Sequence, residues 1–447
     1  MNRYLHCLTL AYFAINAGYS ASGSDWPEFR GPTGQGRAAD AKPPQEWSPD
    51  KNIAWRTAIP GSGWSSPIVV GDRIYVTTAI QEEDATEHKT LRPDVTNNAP
   101  VGNNSTVAAL SLRALAIDAN TGRIVWDREV FRFGPGQYPP GHAKNSFASP
   151  TPLSDGEKIY VHFGPLGTAA LDRNGDVVWR NSEIAYDARH GGAGSPILVG
   201  DKLIFNCDGV ENPFVLALDR NTGKEVWRSA RQPMEPERFA FSTPLAIPSQ
   251  ATESGVQIVS PASHMIGGYD PADGRELWHV YFDRRWSVVS RPVFEDGMVI
   301  ACNGGEAPPE LIAIRPDGSG NVSDTHIVWR HDSFAPLTSS VVVDDGRVYM
   351  VSDAGIASCT DAATGKLLWK KRLGGMFSAS PIYADGRIYL PNDDGVCYVI
   401  AAKPTFELIE KNDLAEPILA SFAVIDDALI VRTSEAMYRV EATNERR

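Results

Sequence analysis

The side chains able to do chemistry gather in a few polar stretches between apolar runs. The densest is Gly141-His142-Ala143-Lys144-Asn145-Ser146, which follows Tyr138-Pro139-Pro140, and the next is Arg189-His190-Gly191-Gly192. Arg231, His264, Arg284-Arg285-Trp286, Arg291 and Trp64 complete the set. Histidine exchanges protons near neutral pH, so His142 and His190 are the candidate proton-transfer groups. Arginine, lysine and asparagine hold carboxylates and sulfates, which makes Lys144, Asn145, Arg189, Arg231 and Arg291 candidate ligand-binding residues, together with His264. Trp64 and Trp286 could stack on a sugar or aromatic ring. Loop packing is the competing role for each of these residues taken singly.

What must position them is a repeat. Leu216-Ala217-Leu218-Asp219-Arg220-Asn221-Thr222-Gly223-Lys224-Glu225-Val226-Trp227 is an alternating strand, a turn and a second strand ending in Trp. Copies run from Asp118 to Trp126, Asp172 to Trp179, Asp270 to Trp278 and Asp361 to Trp369, and a looser one from Arg315 to Trp329 carries an insertion. Asp suits the turn because its carboxylate accepts nearby backbone N–H groups, and Gly because it takes positive φ. The large apolar area of Trp suits a seam between neighbouring sheets.

A second phrase precedes each copy. Ser66-Pro67-Ile68-Val69-Val70-Gly71-Asp72-Arg73-Ile74-Tyr75-Val76 recurs from Ser195, Thr243, Ser340 and Ser380, and reads as two strands about a tight turn. Together the phrases give four antiparallel strands per unit, a propeller blade. First strands open at Ser66, Ser149, Ser195, Thr243, Arg291, Ser340, Ser380 and Ser421, which predicts an all-β, eight-bladed β-propeller. The last blade has three strands and no Trp strand, while Asn52-Ile53-Ala54-Trp55-Arg56 resembles a fourth strand without the other three. The ring is therefore expected to close by its termini, which leaves no open sheet edge. Blade 7 carries Ile409 where others have Trp, with Phe406 as partial compensation, and Cys207 and Cys302 read as matching positions in their blades.

Residues 1–22 read as a cleavable secretory signal, with Arg3 ahead of a short apolar run, and residues 23–447 as one propeller domain in which 23–60 supply the closing strand. No stretch is long enough for a membrane span. Cys7 lacks the small residues that precede a lipidated cysteine. The four remaining cysteines, Cys207, Cys302, Cys359 and Cys397, form neither a disulfide framework nor a zinc pattern and suit buried core positions. The net charge of −13 argues against a nucleic-acid or anionic-membrane partner.

Antiparallel strands put the connector into each blade and the loop between its second and third strands on one face. That face carries the insertions 79–108, 127–148 and Gly304 to Pro309, whereas the turns of the other face are short and uniform. Elaborated loops on a rigid scaffold are where function concentrates. Lys and Arg exceed Asp and Glu by 8 over the connectors, or by 4 once the residue after each Trp is dropped, so a basic mouth is expected in an acidic body.

The Asp-x-x-Thr-Gly-x-x-x-Trp copies resemble the tryptophan-docking repeats of the pyrroloquinoline quinone (PQQ) repeat superfamily, which includes quinoprotein alcohol dehydrogenases and BamB-type outer-membrane assembly proteins. The resemblance covers nearly all of the mature chain and implies the propeller fold. The dehydrogenases of that superfamily carry an adjacent Cys-Cys pair and a Ca²⁺ ligand set. This sequence has no adjacent cysteines, no Cys-x-x-Cys-His haem site and no Ca²⁺ ligands that map residue by residue. The expected function is that of an exported, periplasmic or secreted propeller that binds a small anionic or saccharide ligand or an extracytoplasmic protein partner on its elaborated face, without a cofactor or metal. Two alternatives stay open: a lyase or hydrolase acting on an anionic saccharide through His142 or His190, and a dehydrogenase using PQQ with Ca²⁺.

Overall fold

Each pair of phrases supplies the four strands of one sheet, so that the repeat yields eight four-stranded units. The computed structural model describes residues 25–83, 107–138, 144–188, 190–232, 239–283, 287–304, 307–332 and 334–442. Within them the strands form eight sheets, numbered here as blades 1 to 8, whose inner strands begin at Ile68, Leu153, Ile197, Leu245, Val293, Val342, Ile382 and Ala423. Strands run antiparallel from the axis outward in chain order, as in blade 3 with Ile197–Val199, Lys202–Cys207, Phe214–Asp219 and Glu225–Ala230. The expected architecture is the one observed.

The Ser or Thr that opens every blade but the fifth has a purpose that the alternating pattern does not reveal. Each blade's hydroxyl at this position accepts the backbone N–H of the equivalent residue one blade earlier: Ser66 to Thr151, Thr151 to Ser195, Ser195 to Thr243, Arg291 to Ser340, Ser340 to Ser380, Ser380 to Ser421, and Ser421 back to Ser66, all at 2.9–3.1 Å. A belt of hydrogen bonds thus circles the axis. The step from blade 4 to blade 5 differs because Arg291 occupies the hydroxyl's place. There Arg291 Nε donates to Pro244 O at 3.0 Å and Ser242 Oγ to Ser290 O at 2.8 Å. The belt also corrects one start: blade 2 enters it with Thr151, while Ser149 Oγ instead accepts the N–H of Ser146.

Hydrophobic cores lie in the seams between adjacent blades, and repeat Trp residues finish every seam but the one from blade 7 to blade 8. The indole N–H of Trp55, Trp126, Trp179, Trp227, Trp329 and Trp369 donates to a carbonyl in the outer turn of the following blade, at Ala119, Arg173, Arg220, Pro271, Ala362 and Lys403 respectively. Trp278 is the exception, because blade 5 lacks the regular turn. Its N–H goes to Gln257 Oε1 at 2.7 Å, and Gln257 Nε2 donates onward to Pro316 O at 2.9 Å, the carbonyl in the equivalent position. The insertion in that turn adds a short parallel strand, Gly320–Asn321, beside Trp278 and His279. Gln257→Ala should destabilise the protein by about 1–3 kcal/mol, since it leaves a buried indole N–H and carbonyl without partners; chemical denaturation measures this directly.

In blade 7 the pairing of Val399 with Glu410 and of Ile400 with Leu408 leaves Ile409 at the bulge, so Glu410 holds the Trp position, not Ile409 as expected. The reason lies in blade 8. Its outer turn is interrupted, with Val440 and Ile53 facing each other at the break, so no regular turn is there to receive an indole. Trp47 covers the gap from the N-terminal side, 3% exposed and stacked at 6.3 Å on Tyr389 of blade 7. Phe406 packs on Trp369 and so serves the seam between blades 6 and 7. The cysteine match also slips by one residue: Ile204 pairs with Ile197 and Ile300 with Val293, so Cys302 corresponds to Asn206. Cys207 accordingly packs toward blade 2 and Cys302 toward blade 6.

Closure occurs as the termini suggest. Ile53–Ala58 forms the outer strand of blade 8, with Thr57 opposite Met437 and Ala58 opposite Ala436. The segment before it does more than link. Trp26 exchanges two backbone hydrogen bonds with Val69 of blade 1, Pro27 O accepts from Ser154 of blade 2, and Gln35 Oε1 from Phe294 of blade 5. Arg37 pairs with Asp344 of blade 6 at 2.9 Å, and Arg37–Ala38 adds a parallel strand to the inner edge of blade 7. Residues 25–38 therefore cross the bore at the end bearing the short turns.

Candidate functional site

The two faces separate as the strand order requires. On one, the turns within each blade join, as in Ala119 N to Asp72 O and Arg220 N to Asp201 O. On the other, the connector into the next blade binds the loop between strands two and three, as in Arg231 N to Pro213 O, Phe282 N to His264 O and Leu373 N to Gly355 O. The second face surrounds the mouth of the bore, the end opposite residues 25–38.

The Lys144–Ser146 stretch reaches this mouth. Lys144 Nζ lies 3.7 Å from Asp353 Oδ2 of blade 6, although Lys144 enters from the connector to blade 2, half a ring away. Asn145 Nδ2 donates to His190 O at 2.7 Å, and Ser146 Oγ accepts the N–H of Trp64 at 3.2 Å. Trp64, Lys144, Asn145 and His190 thus come together across the first three blades. The His190 ring packs edge-on against Phe239, with centroids 5.3 Å apart, and near Phe241. His264 is buried, with φ of 61° in its tight loop. His142, Arg189 and Trp286 lie outside the described residues.

Two of the expected ligand-binding arginines are engaged inside the protein. Arg231 is buried between blades 3 and 4, donating to Asn206 Oδ1 at 2.7 Å and Ser260 Oγ at 2.6 Å, with its Nε 3.2 Å from Asp208 Oδ1. Arg291 points down the bore, where Phe29 O and Glu28 take its guanidinium. The basic mouth inferred from the connectors is offset by carboxylates on the facing loops. Asp208, Asp353 and Asp393 stand at one structural position in blades 3, 6 and 7, just past the second strand. Their recurrence before a glycine, in Asp208-Gly209, Asp353-Ala354-Gly355 and Asp393-Asp394-Gly395, is the signal that could have found them.

These carboxylates have local duties. Asp353 accepts the N–H groups of Leu337 and Thr338 at 3.0 Å each and the Thr338 hydroxyl at 2.6 Å. Asp393 accepts the Ser378 hydroxyl at 2.9 Å, and burial pushes its pKa up. Asp208 is raised to about 6 by burial, with Arg231 pulling the other way. Between the ordinary carboxylate range and pH 6 the native state thus binds the extra proton. The contribution of Asp208 to stability should fall by about 3 kcal/mol as pH rises from 4 to 6 and stay flat above. Comparing the pH dependence of unfolding in Asp208→Asn, expected to be flatter over that window, checks this.

A quinone with Ca²⁺ would require a shared set of donors at the mouth. Among the described residues no group of three or more His, Cys, Asp or Glu could hold a metal ion, and the four described cysteines are buried in separate blades. The described residues offer no such set.

A family model described as outer membrane protein assembly factor BamB matches residues 87–211, 211–318 and 321–405. The chain belongs to that family of PQQ-repeat propellers. A curated relative, the outer membrane protein assembly factor BamB of Alteromonas naphthalenivorans, is 24% identical over 299 residues, which are 59% of this chain and 63% of that protein. Among solved structures, BamB from Moraxella catarrhalis superposes with a TM-score of 0.52 at 15% identity, covering 74% of this chain and 93% of that one. A europium-containing methanol dehydrogenase gives 0.62 at 12% identity, covering 95% and 92%. The structural likenesses speak to the fold alone. Among the described residues of this BamB-family propeller, no helix is long and apolar enough to cross a membrane.

Proposed function

We propose that the protein is a protein-binding scaffold of the BamB type, exported to the periplasm, which engages a partner in outer-membrane protein assembly through its loop face. The observation that carries this reading is the mutual commitment of the charged groups at the mouth, Lys144 with Asp353 and Arg231 with Asp208. Groups held by one another shape a surface and are poorly placed to move protons to and from a substrate. At the rim, Met376 is 46% exposed beside the half-buried Leu373, and Lys370, Lys371 and Arg372 precede them. An exposed Met preceded by three basic side chains suits contact with a protein partner.

Deleting the gene in its native host tests the proposal. The amount of outer-membrane proteins is expected to fall, to recover with the wild-type chain, and not to recover with a Leu373→Glu, Met376→Glu variant of unchanged melting temperature. Unchanged outer-membrane protein levels after the deletion would overturn it.

A further inference from the structure

The segment that crosses the bore carries a buried cation with unusual surroundings. Arg30 is 1% exposed and has φ of 67°, a left-handed conformation that few residues other than glycine adopt. Its Nη2 donates to Gln35 O at 2.8 Å and Val341 O at 2.6 Å. Its Nε and Nη1 are buried and have no hydrogen-bond partner among the described residues. The neighbouring charge is the like charge of Arg291, and Glu28, the carboxylate at hand, is already engaged by Arg291 at 3.2 Å. Burial and Arg291 draw the Arg30 pKa down to about 9, which leaves it protonated at neutral pH.

A buried guanidinium without a counter-charge is costly. A water molecule could accept its N–H groups but would leave the charge uncompensated, whereas an anion does both. The Thr33 hydroxyl of the same segment is also buried without a partner among the described residues. Space is limited, because the segment is wrapped closely on both guanidiniums. A Cβ at Gly34 would lie 2.5 Å from Arg291 Cζ, and one at Gly36 2.7 Å from Arg30 Nη2. A single-atom anion is the smallest occupant that would supply the missing counter-charge under so close a cover.

We propose that Arg30 holds a halide-sized anion, chloride under ordinary conditions, in the bore of the propeller beneath residues 25–38, with the Thr33 hydroxyl of that segment as a second donor. The site stands apart from the loop face and does not depend on the scaffold reading.

Crystals of the full chain grown in sodium bromide are expected to show an anomalous peak within hydrogen-bonding distance of Arg30 Nε or Nη1. In solution the melting temperature should be about 2–4 °C higher in sodium chloride than in sodium gluconate of equal ionic strength, and Arg30→Met should abolish the difference. A water without anomalous signal at Arg30, equal melting in the two salts, or a salt difference that persists in Arg30→Met would each overturn the proposal. The bromide measurement uses the wild-type protein and decides the matter even if the variant does not fold.

Discussion

Removing residues 25–58 is expected to abolish the soluble, folded monomer. The deletion takes away the outer strand of blade 8, which pairs with Ala436–Val440 from Ile53 to Ala58, and exposes that strand as an open edge. It also removes Trp26 and Trp47, 2% and 3% exposed in the core where blades 7, 8 and 1 meet. Losing one buried Trp costs about 3–5 kcal/mol, and two approach the whole net stability of a typical domain, about 5–15 kcal/mol. Size-exclusion chromatography of the truncated chain should show aggregate, and co-expression of a separate 25–60 fragment should restore a monomer-sized complex. A truncated chain that stays monomeric and melts like wild type would show that the ring does not depend on this segment.

A paired substitution separates the two demands made on glycine. Gly223, in the Asp-x-x-Thr-Gly turn, has φ of +69°, and a Cβ there would lie 2.4 Å from Trp179 Cε3 of the preceding blade. Gly200, in the turn between the first two strands of the same blade, has φ of +60° and nothing within 4 Å of an added Cβ. Gly200→Ala should cost only the backbone conformation, about 1 kcal/mol; in blades 5 to 8 the residues Asp296, Asp345, Asp385 and Asp426 adopt φ of 47–49° in the equivalent turns. Gly223→Ala adds displacement of a docked indole, for a total of about 2–5 kcal/mol. Equilibrium unfolding of the two variants provides the comparison. Equal losses would mean that the turn glycine serves φ alone and that the indole is free to move.

This contrast explains what could be read from the residues alone. The repeat was legible because Asp, Gly and Trp answer to local geometry and to a neighbour that is always the next blade. Asp219 Oδ1 accepts the N–H groups of Asn221 and Thr222, as the turn chemistry requires, and Trp227 reaches one blade forward. Eight blades and closure by the termini follow from those periodic signals. The exceptions were not legible, because each depends on a partner that no period announces. Glu410 replaces Trp because blade 8 is interrupted, Gln257 relays for Trp278 because blade 5 lacks its turn, and residues 25–38 touch blades on opposite sides of the bore.

The mouth was half legible for the same reason. Summing charge along the connectors captured Lys144 and Arg231 but omitted the carboxylates that meet them. Asp353 belongs to the blade opposite the one that Lys144 enters, and Asp208 to the loop facing Arg231. Strand order fixes the face on which these residues stand; the pairing of their side chains depends on which loops the fold brings together. Arg432 was missed altogether. It is buried at the end of the second strand of blade 8, where its Nη1 donates to Ser65 O, Ser65 Oγ and Thr77 O of blade 1 across the closing seam.

The most direct test of the account is to ask which face meets a partner. A photoreactive side chain placed at position 376, on the rim of the mouth, or at position 201, an exposed turn on the opposite face, can be activated in intact cells. The account predicts covalent adducts with a partner protein from position 376 and none from position 201. Adducts from position 201 with none from position 376 would contradict it.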